Sequence, residues 1–294
     1  MKQNKQDMEQ QAVKVSLVSI VGNILLTVFK LLAGIVAHSG AMISDAIHSA
    51  SDIFSSIIVI IGVKLAGKAS DRDHPYGHER FECVAAIILA VVLLFTGLFI
   101  GIGAVELILE PTAQAVVVPG VLALVAALVS IGTKEGMYWY TRHYAKRLDS
   151  GALMADAWHH RSDALSSVGA LLGIVAARMG FPIFEPIASL AICFLIGKAA
   201  LDIFKDAVSK MVDRACPPEK VEQLRKTALA QESVLGVDRL RTRVFGNRTY
   251  VDLEIRVDGS LTLQQAHQIA QQVHDTIENQ FPDVKHIMVH VNPA

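Results

Sequence analysis

Val84–Val105 contains no charged residue, and neither does Ala113–Thr133. Each is about 20 residues long, enough for a helix to cross a hydrocarbon core of roughly 30 Å. These two stretches predict membrane spans. The composition agrees, with 52% hydrophobic and 19% charged residues and a mean hydropathy of +0.42, where soluble domains hold about 25% charged residues. Four further apolar stretches, Val15–Ala37, Ala41–Ala66, Leu153–Ala177 and Phe181–Gly197 (extended toward Phe204), complete a set of six. Each of these four carries at least one ionisable group.

Six spans put both termini on one side, and the loops say which. Lys2, Lys5 and Lys14 precede the first span, Lys64, Lys68, Arg72 and Arg80 flank the second connection, and Arg142, Lys146 and Arg147 lie in the fourth. Ala37–Gly40 and Glu110–Pro119 have no Lys or Arg. By the positive-inside rule both termini are cytoplasmic, in a multi-pass protein of the cell membrane surrounded by lipid. Val15–Ala37 is too long for a signal peptide and lacks a small-residue cleavage site, so it is expected to be a retained span. The net charge of −1 gives no reason to expect nucleic acid. Cys83, Cys193 and Cys216 form no CxxC pair and are expected to pack as small hydrophobes.

The texture changes after Asp213. Pro217 and Pro218 can open a helix with Val221, Leu224 and Ala228 on one face. Alternation at Leu240, Thr242 and Val244, then at Val251, Leu253, Ile255 and Val257, reads as a hairpin about Gly246-Asn247. Leu263, Ala266, Ala270, Val273 and Ile277 mark an amphipathic helix, and Ile287, Val289 and Val291 a last strand. The expectation is an all-α six-helix transmembrane domain over residues 1–212 and an α+β domain of order αββαβ over 213–294. At that size dimerisation would help the second domain fold.

The chemistry lies in a duplication. Asp45, His48 and Asp52 on the second span, and Asp156, His159 and Asp163 on the fifth, share the spacing i, i+3, i+7, which places each trio on one helical face. DAIHSASDIFSS and DAWHHRSDALSS agree at seven of twelve positions, where random composition gives about one. Matching polar segments in two halves of a membrane protein point to a transport site. Ionisable groups at mid-bilayer cost about 2.5–3.5 kcal/mol each, and a divalent cation would satisfy them. His48, Asp52, His159 and Asp163 offer two imidazoles and two carboxylates, a tetrahedral set that suits zinc best. The alternative is plain hydrogen bonding between helices. Asp45 and Asp156, one turn earlier, are candidates for steadying the site, for relaying protons, or for structural pairing. A loop Asp71, His74 and His78 around Pro75 and Gly77 forms a second candidate cluster, with a solvated polar loop as its alternative. His143, His160, His274 and His286 read as ordinary polar residues, and Gly97–Gly101 as a GxxxG that favours close helix packing.

The paired HxxxD motifs on spans two and five resemble those of the cation diffusion facilitator family, over essentially the whole chain. That resemblance implies six spans followed by a ferredoxin-like, metallochaperone-like cytoplasmic domain, a homodimer, and export of zinc, cadmium, iron or manganese against protons. It implies His48, Asp52, His159 and Asp163 as transport ligands, and a second zinc at Asp71, His74 and His78. In the cytoplasmic domain His267 and His290 match family ligand positions, while Asp238 and Glu254 stand where His is common and Asn292 where Asp is found. A metal site and a purely structural dimer domain both stay open there. The resemblance also implies an ion pair between Arg80 and Asp213. The expected function is a metal/proton antiporter with zinc as the best-fitting ion, the alternatives being a membrane-embedded metal sensor and an organic-cation/proton antiporter. No nucleophile motif, Walker sequence or nucleotide-binding glycine pattern suggests an enzyme.

Overall fold

Long runs of Leu, Ile, Val and Ala, interrupted by little Pro, set up helices, and six long ones form among the described residues. The computed structural model describes residues 2–36, 40–109, 121–178, 184–246 and 248–294. The helices are α1 (Lys2–Val36), α2 (Gly40–Gly67), α3 (Phe81–Leu109), α4 (Val121–Arg147), α5 (Gly151–Arg178) and α6 (Phe184–Met211). Residues 113–120 of the expected fourth span lie outside the described residues. The helix that follows does not stop at Thr133, where charge returns, but continues through Lys134 to Arg147. The charge that was expected to end the span is turned inward instead.

The bundle buries polar side chains beside an apolar core that includes Val59, Leu93, Leu153 and Ile196, and its outer surface is apolar. Ser16, Ser19, Asn23, Asp52, Ser56, Ser130, Lys134, Thr141 and Asp163 are buried, while Leu25 is 65% exposed, Phe99 70% and Phe194 73%. A water-soluble protein would reverse this. Lipid is the solvent that accepts that outer surface. Among the described residues, Gln10–Ala33 and Phe81–Glu106 are long and apolar enough to cross a membrane on length and composition alone. Helix α1 packs on α2 and α4, α4 on α5, and α3 on both α2 and α5, with α2 also touching α5. Small residues permit the close approaches. A Cβ at Gly62 would collide with that of Ala85, and one at Gly101 would lie 2.7 Å from the Cys193 sulfur. The GxxxG therefore serves α3 against α6 within one chain. All three cysteines are free thiols.

The chain divides into two units, Lys2–Ala207 and Val208–Ala294. The second holds α7 (Pro218–Leu229), β1 (Gly236–Phe245), β2 (Arg248–Val257), α8 (Leu263–Gln280) and β3 (Val284–Pro293), the expected αββαβ order. Pro217 sits at the cap of α7 with Pro218 first in the helix, where a missing N–H costs nothing. Gly246, at φ 62°, begins the turn between β1 and β2. These pair antiparallel, and β3 adds parallel to β2 through the α8 crossover. Thr262 and Gln265 close a reciprocal cap at the start of α8. Leu224, Ala228, Leu253, Ile255, Val273 and Ile277 form the core between helices and sheet.

Candidate metal centre

Helices α2 and α5 bring the duplicated motifs together. One ligand atom each from Asp52, His159 and Asp163 lies within 4.8 Å of the others, and all three residues are buried. His159 Nε2 stands 3.4 Å from Asp52 Oδ1. The side chains of His48 and Asp45 lie outside the described residues. Asp156 is fully buried but belongs to a separate contact one turn back. It accepts a hydrogen bond from Ser56 on α2 at 3.3 Å and has His160 Nε2 3.6 Å away. His160, which sequence treats as an ordinary polar residue, is fully buried. It stands one position after His159, so on a helix it faces a different neighbour, here Asp156.

Sequence reasoning missed the residue nearest the cluster. Lys134 on α4 is 2% exposed and donates to both carboxylates, to Asp52 Oδ2 and, at 2.9 Å, to Asp163 Oδ2. A second buried ammonium, Lys30 on α1, donates to Ser49 Oγ on α2 at 2.9 Å. The available signal was distance along the helix. Lys134 lies 13 positions before Arg147, and at 1.5 Å per residue that is about 20 Å inside the basic end of α4. A lysine that deep cannot snorkel out easily and must find a partner.

The loop between α2 and α3 holds the second candidate cluster. Asp71, His74 and His78 also bring one ligand atom each within 4.8 Å. Asp71 Oδ1 accepts from the backbone N–H of His74 at 2.8 Å and of Asp73 at 3.2 Å, which folds the loop back on itself. Gly77, at φ 102°, supplies the reversal that aims His78 inward, where the ring stacks on Phe81. The two imidazoles stand 4.5 Å apart between ring centres. The Lys68 ammonium, 2.9 Å from Asp71, and the His74 backbone N–H hold the Asp71 carboxyl well below the usual carboxylate range. An ionised carboxylate with two half-aligned imidazoles suits a divalent cation.

The cytoplasmic-domain residues are not brought into a comparable cluster among the described residues. Arg256 holds Asp238 at 2.7 Å and Arg239 holds Glu254 at 3.1 Å, while Asn292 donates to Asp238. The strand register explains this. A bulge between Val237 and Arg239 sets Arg239 opposite Glu254 and leaves Asp238 beside Arg256. Glu254 does neighbour His290 across β2 and β3, but its carboxylate is taken by an arginine. His267 is exposed on α8. Arg80 belongs to the first unit and Asp213 to the second, where it adopts φ 63°.

Known proteins share this organisation. Residues 16–212 match the cation efflux transmembrane domain, and residues 216–294 match the cation efflux protein cytoplasmic domain. The chain is 39% identical over 276 residues to the uncharacterized transporter MJ0449 of Methanocaldococcus jannaschii, covering 94% of this chain and 96% of that one. It is 31% identical over 292 residues to the manganese efflux system protein MneP of Bacillus subtilis, covering 97% of each. Against metal tolerance protein C1 of Arabidopsis thaliana the identity is 35% over 297 residues, 97% of this chain but 63% of that longer relative. The solved MamM-CTD is 27% identical, at a TM-score of 0.25, over 26% of this chain and 98% of that structure. Matched in both its membrane and its cytoplasmic halves, the chain belongs to the cation efflux family, the cation diffusion facilitators.

Proposed function

We propose that this protein exports a divalent transition-metal cation, zinc fitting best, from the cytoplasm in exchange for protons. The observation that carries the reading is the buried trio Asp52, His159 and Asp163, whose donor atoms lie within 4.8 Å of one another inside a lipid-facing bundle. Two carboxylates balance two positive charges, and an imidazole adds the nitrogen donor that zinc favours over harder ions. His48, one turn before Asp52, is the proposed fourth ligand. Carboxylates must be ionised and imidazoles neutral to bind metal, so binding releases protons, and protonation on the more acidic side returns the metal. The proposed setting is the cytoplasmic membrane with both termini cytoplasmic, supported by the basic loops, and a homodimer joined through the C-terminal domain. Asp71, His74 and His78 would hold a second ion outside the membrane.

A second reading has one observation in its favour. The described donors are richer in oxygen than in nitrogen, and harder ions such as manganese prefer oxygen. Manganese, named in the MneP relative, is therefore the second candidate substrate.

Reconstitution tests both readings. Purified protein in liposomes that enclose a pH-sensitive dye should move zinc and protons in opposite directions. Metal binding without flux would replace the transporter with a sensor. Flux of an organic cation without metal dependence would replace the substrate class.

A further inference from the structure

The proposed transport cycle does not use Lys134, yet its ammonium touches the same two carboxylates that the cation needs. A buried ammonium in a membrane bundle is tolerated only when paired. Here the pairing falls on candidate metal ligands rather than on a spare carboxylate elsewhere. We propose that Lys134 is a tethered competitor of the metal: its ammonium fills the Asp52–Asp163 pair when no cation is bound and retracts when one arrives. This rests on the metal-transport reading of the site.

Space and charge both require the exclusion. A metal held by these carboxylates sits about 2.0–2.2 Å from their oxygens. Lys134 Nζ lies within hydrogen-bonding distance of an oxygen of each. The donor atoms of the trio span no more than 4.8 Å, so an ion that reaches both carboxylates takes the volume the ammonium occupies. A dication and an ammonium placed there together would repel at short range with little solvent between them. Singly, each leaves a nearly neutral site. Two carboxylates with the ammonium carry one negative charge, and with a divalent cation and neutral imidazole they carry none. Without Lys134 the emptied site would keep two facing carboxylates with only the His159 imidazole, and the protons the site takes up, to offset them. The flexible four-carbon stem of lysine allows withdrawal without movement of α4.

Two consequences separate this role from bracing. The competitor weakens metal binding, because only the fraction of sites with the ammonium withdrawn is competent. It also stabilises the empty carrier, so it speeds the return step and with it net transport. Exchange of metal for metal does not require the empty carrier to reorient, so it does not depend on that step.

The experiment uses the full chain in detergent and in liposomes, with zinc as the probe. It compares equilibrium zinc binding, net zinc uptake, and exchange of labelled for unlabelled zinc. Lys134→Met keeps length and removes charge. Zinc should then bind about tenfold tighter or more, while net uptake falls by a similar factor and zinc–zinc exchange is retained. Lys134→Arg should shift binding the other way, because a guanidinium grips two carboxylates with a planar fork and releases them less readily. If Lys134→Met does not fold, weaker zinc binding in Lys134→Arg decides the matter alone. Binding, uptake and exchange falling together in Lys134→Met would mark a structural brace and overturn the proposal. So would unchanged zinc affinity in both variants. No zinc flux in the wild type would remove the transport reading and this proposal together. Wild-type flux that is lost in Asp163→Asn, with both Lys134 variants unshifted, would remove this proposal alone.

Discussion

Asp163→Asn isolates charge from volume at the candidate site. The amide fills the same space as the carboxylate, so the packing of α5 against α4 should survive. What changes is electrostatic. Lys134 now has one carboxylate, Asp52, to answer its charge, and the two form a neutral pair that no longer draws a cation. Removing one member of a buried ionic cluster typically costs about 3–5 kcal/mol. If that cost falls on the bound metal, zinc affinity drops by about two to three and a half orders of magnitude. The assay is equilibrium zinc binding in detergent alongside initial uptake in liposomes, with gel filtration and thermal unfolding to establish that the variant is folded. Uptake should become undetectable at zinc concentrations that saturate the wild type. A folded Asp163→Asn protein that binds zinc within about threefold of wild type, well under 1.4 kcal/mol, would refute the assignment of this carboxylate to the metal.

His159→Asp should raise the manganese-to-zinc ratio of initial uptake by about tenfold, since an oxygen donor replaces the nitrogen that favours zinc; an unchanged selectivity order would place His159 outside the coordination sphere. His74→Ala with His78→Ala should remove one bound zinc per chain without abolishing uptake, measured by metal analysis of dialysed protein; unchanged stoichiometry would dismiss the loop site. In the cytoplasmic domain, burial raises the Asp283 carboxyl, but the ion pair with Lys220 and the Thr249 hydroxyl outweigh it, and the net direction is downward. A lowered folded-state value means the contribution is complete above the unfolded carboxylate value of about 3.9 and is lost as pH falls through the folded value. Asp283→Asn should therefore cost about 1 kcal/mol or less at pH 7, because the pair is half exposed, and the difference from wild type should vanish in thermal unfolding at strongly acid pH.

The duplicated HxxxD motif was legible because it obeys two independent regularities. Its spacing follows the turn of the helix, and its two copies repeat each other, so spacing and repetition grouped His48, Asp52, His159 and Asp163, of which Asp52, His159 and Asp163 come together while the His48 side chain lies outside the described residues. The αββαβ order was legible for a similar reason, since the period of the apolar residues changes between about 3.6 and two wherever helix meets strand, and Gly246-Asn247 marks the turn between the two adjacent strands. Lys134 obeyed neither rule. It follows directly on a neutral run, where a lysine ordinarily marks the end of a span, and only the packing of α4 against α1 and α5 turns it inward. His160 fails for the same reason, as its neighbour Asp156 is visible in sequence but its burial is not. Asp238 and Glu254 show a third limit. Family resemblance singled them out as positions where ligands are found, but which arginine each meets depends on the β1 bulge, which neither resemblance nor apolar alternation locates.

Short hydroxyl side chains line much of the interior seam of the bundle, at Ser16 and Ser19 of α1, Ser55 and Ser56 of α2, Ser130 and Thr141 of α4, and Ser162 of α5. Ser19 and Thr141 meet across α1 and α4 at 3.4 Å. Large interlocked side chains would act as ratchet teeth, and sliding one helix past another would require them to disengage. A hydroxyl is small, rotates freely, and both donates and accepts, so it can trade one partner for the next as the helices shift. In the proposed transport cycle the seam would then act as a low-friction bearing, with a barrier to displacement set by hydrogen-bond exchange rather than by steric unlocking. Replacing Ser19 with alanine and Thr141 with valine, each close in size to the residue it displaces, should leave thermal unfolding unchanged while slowing initial zinc uptake into liposomes.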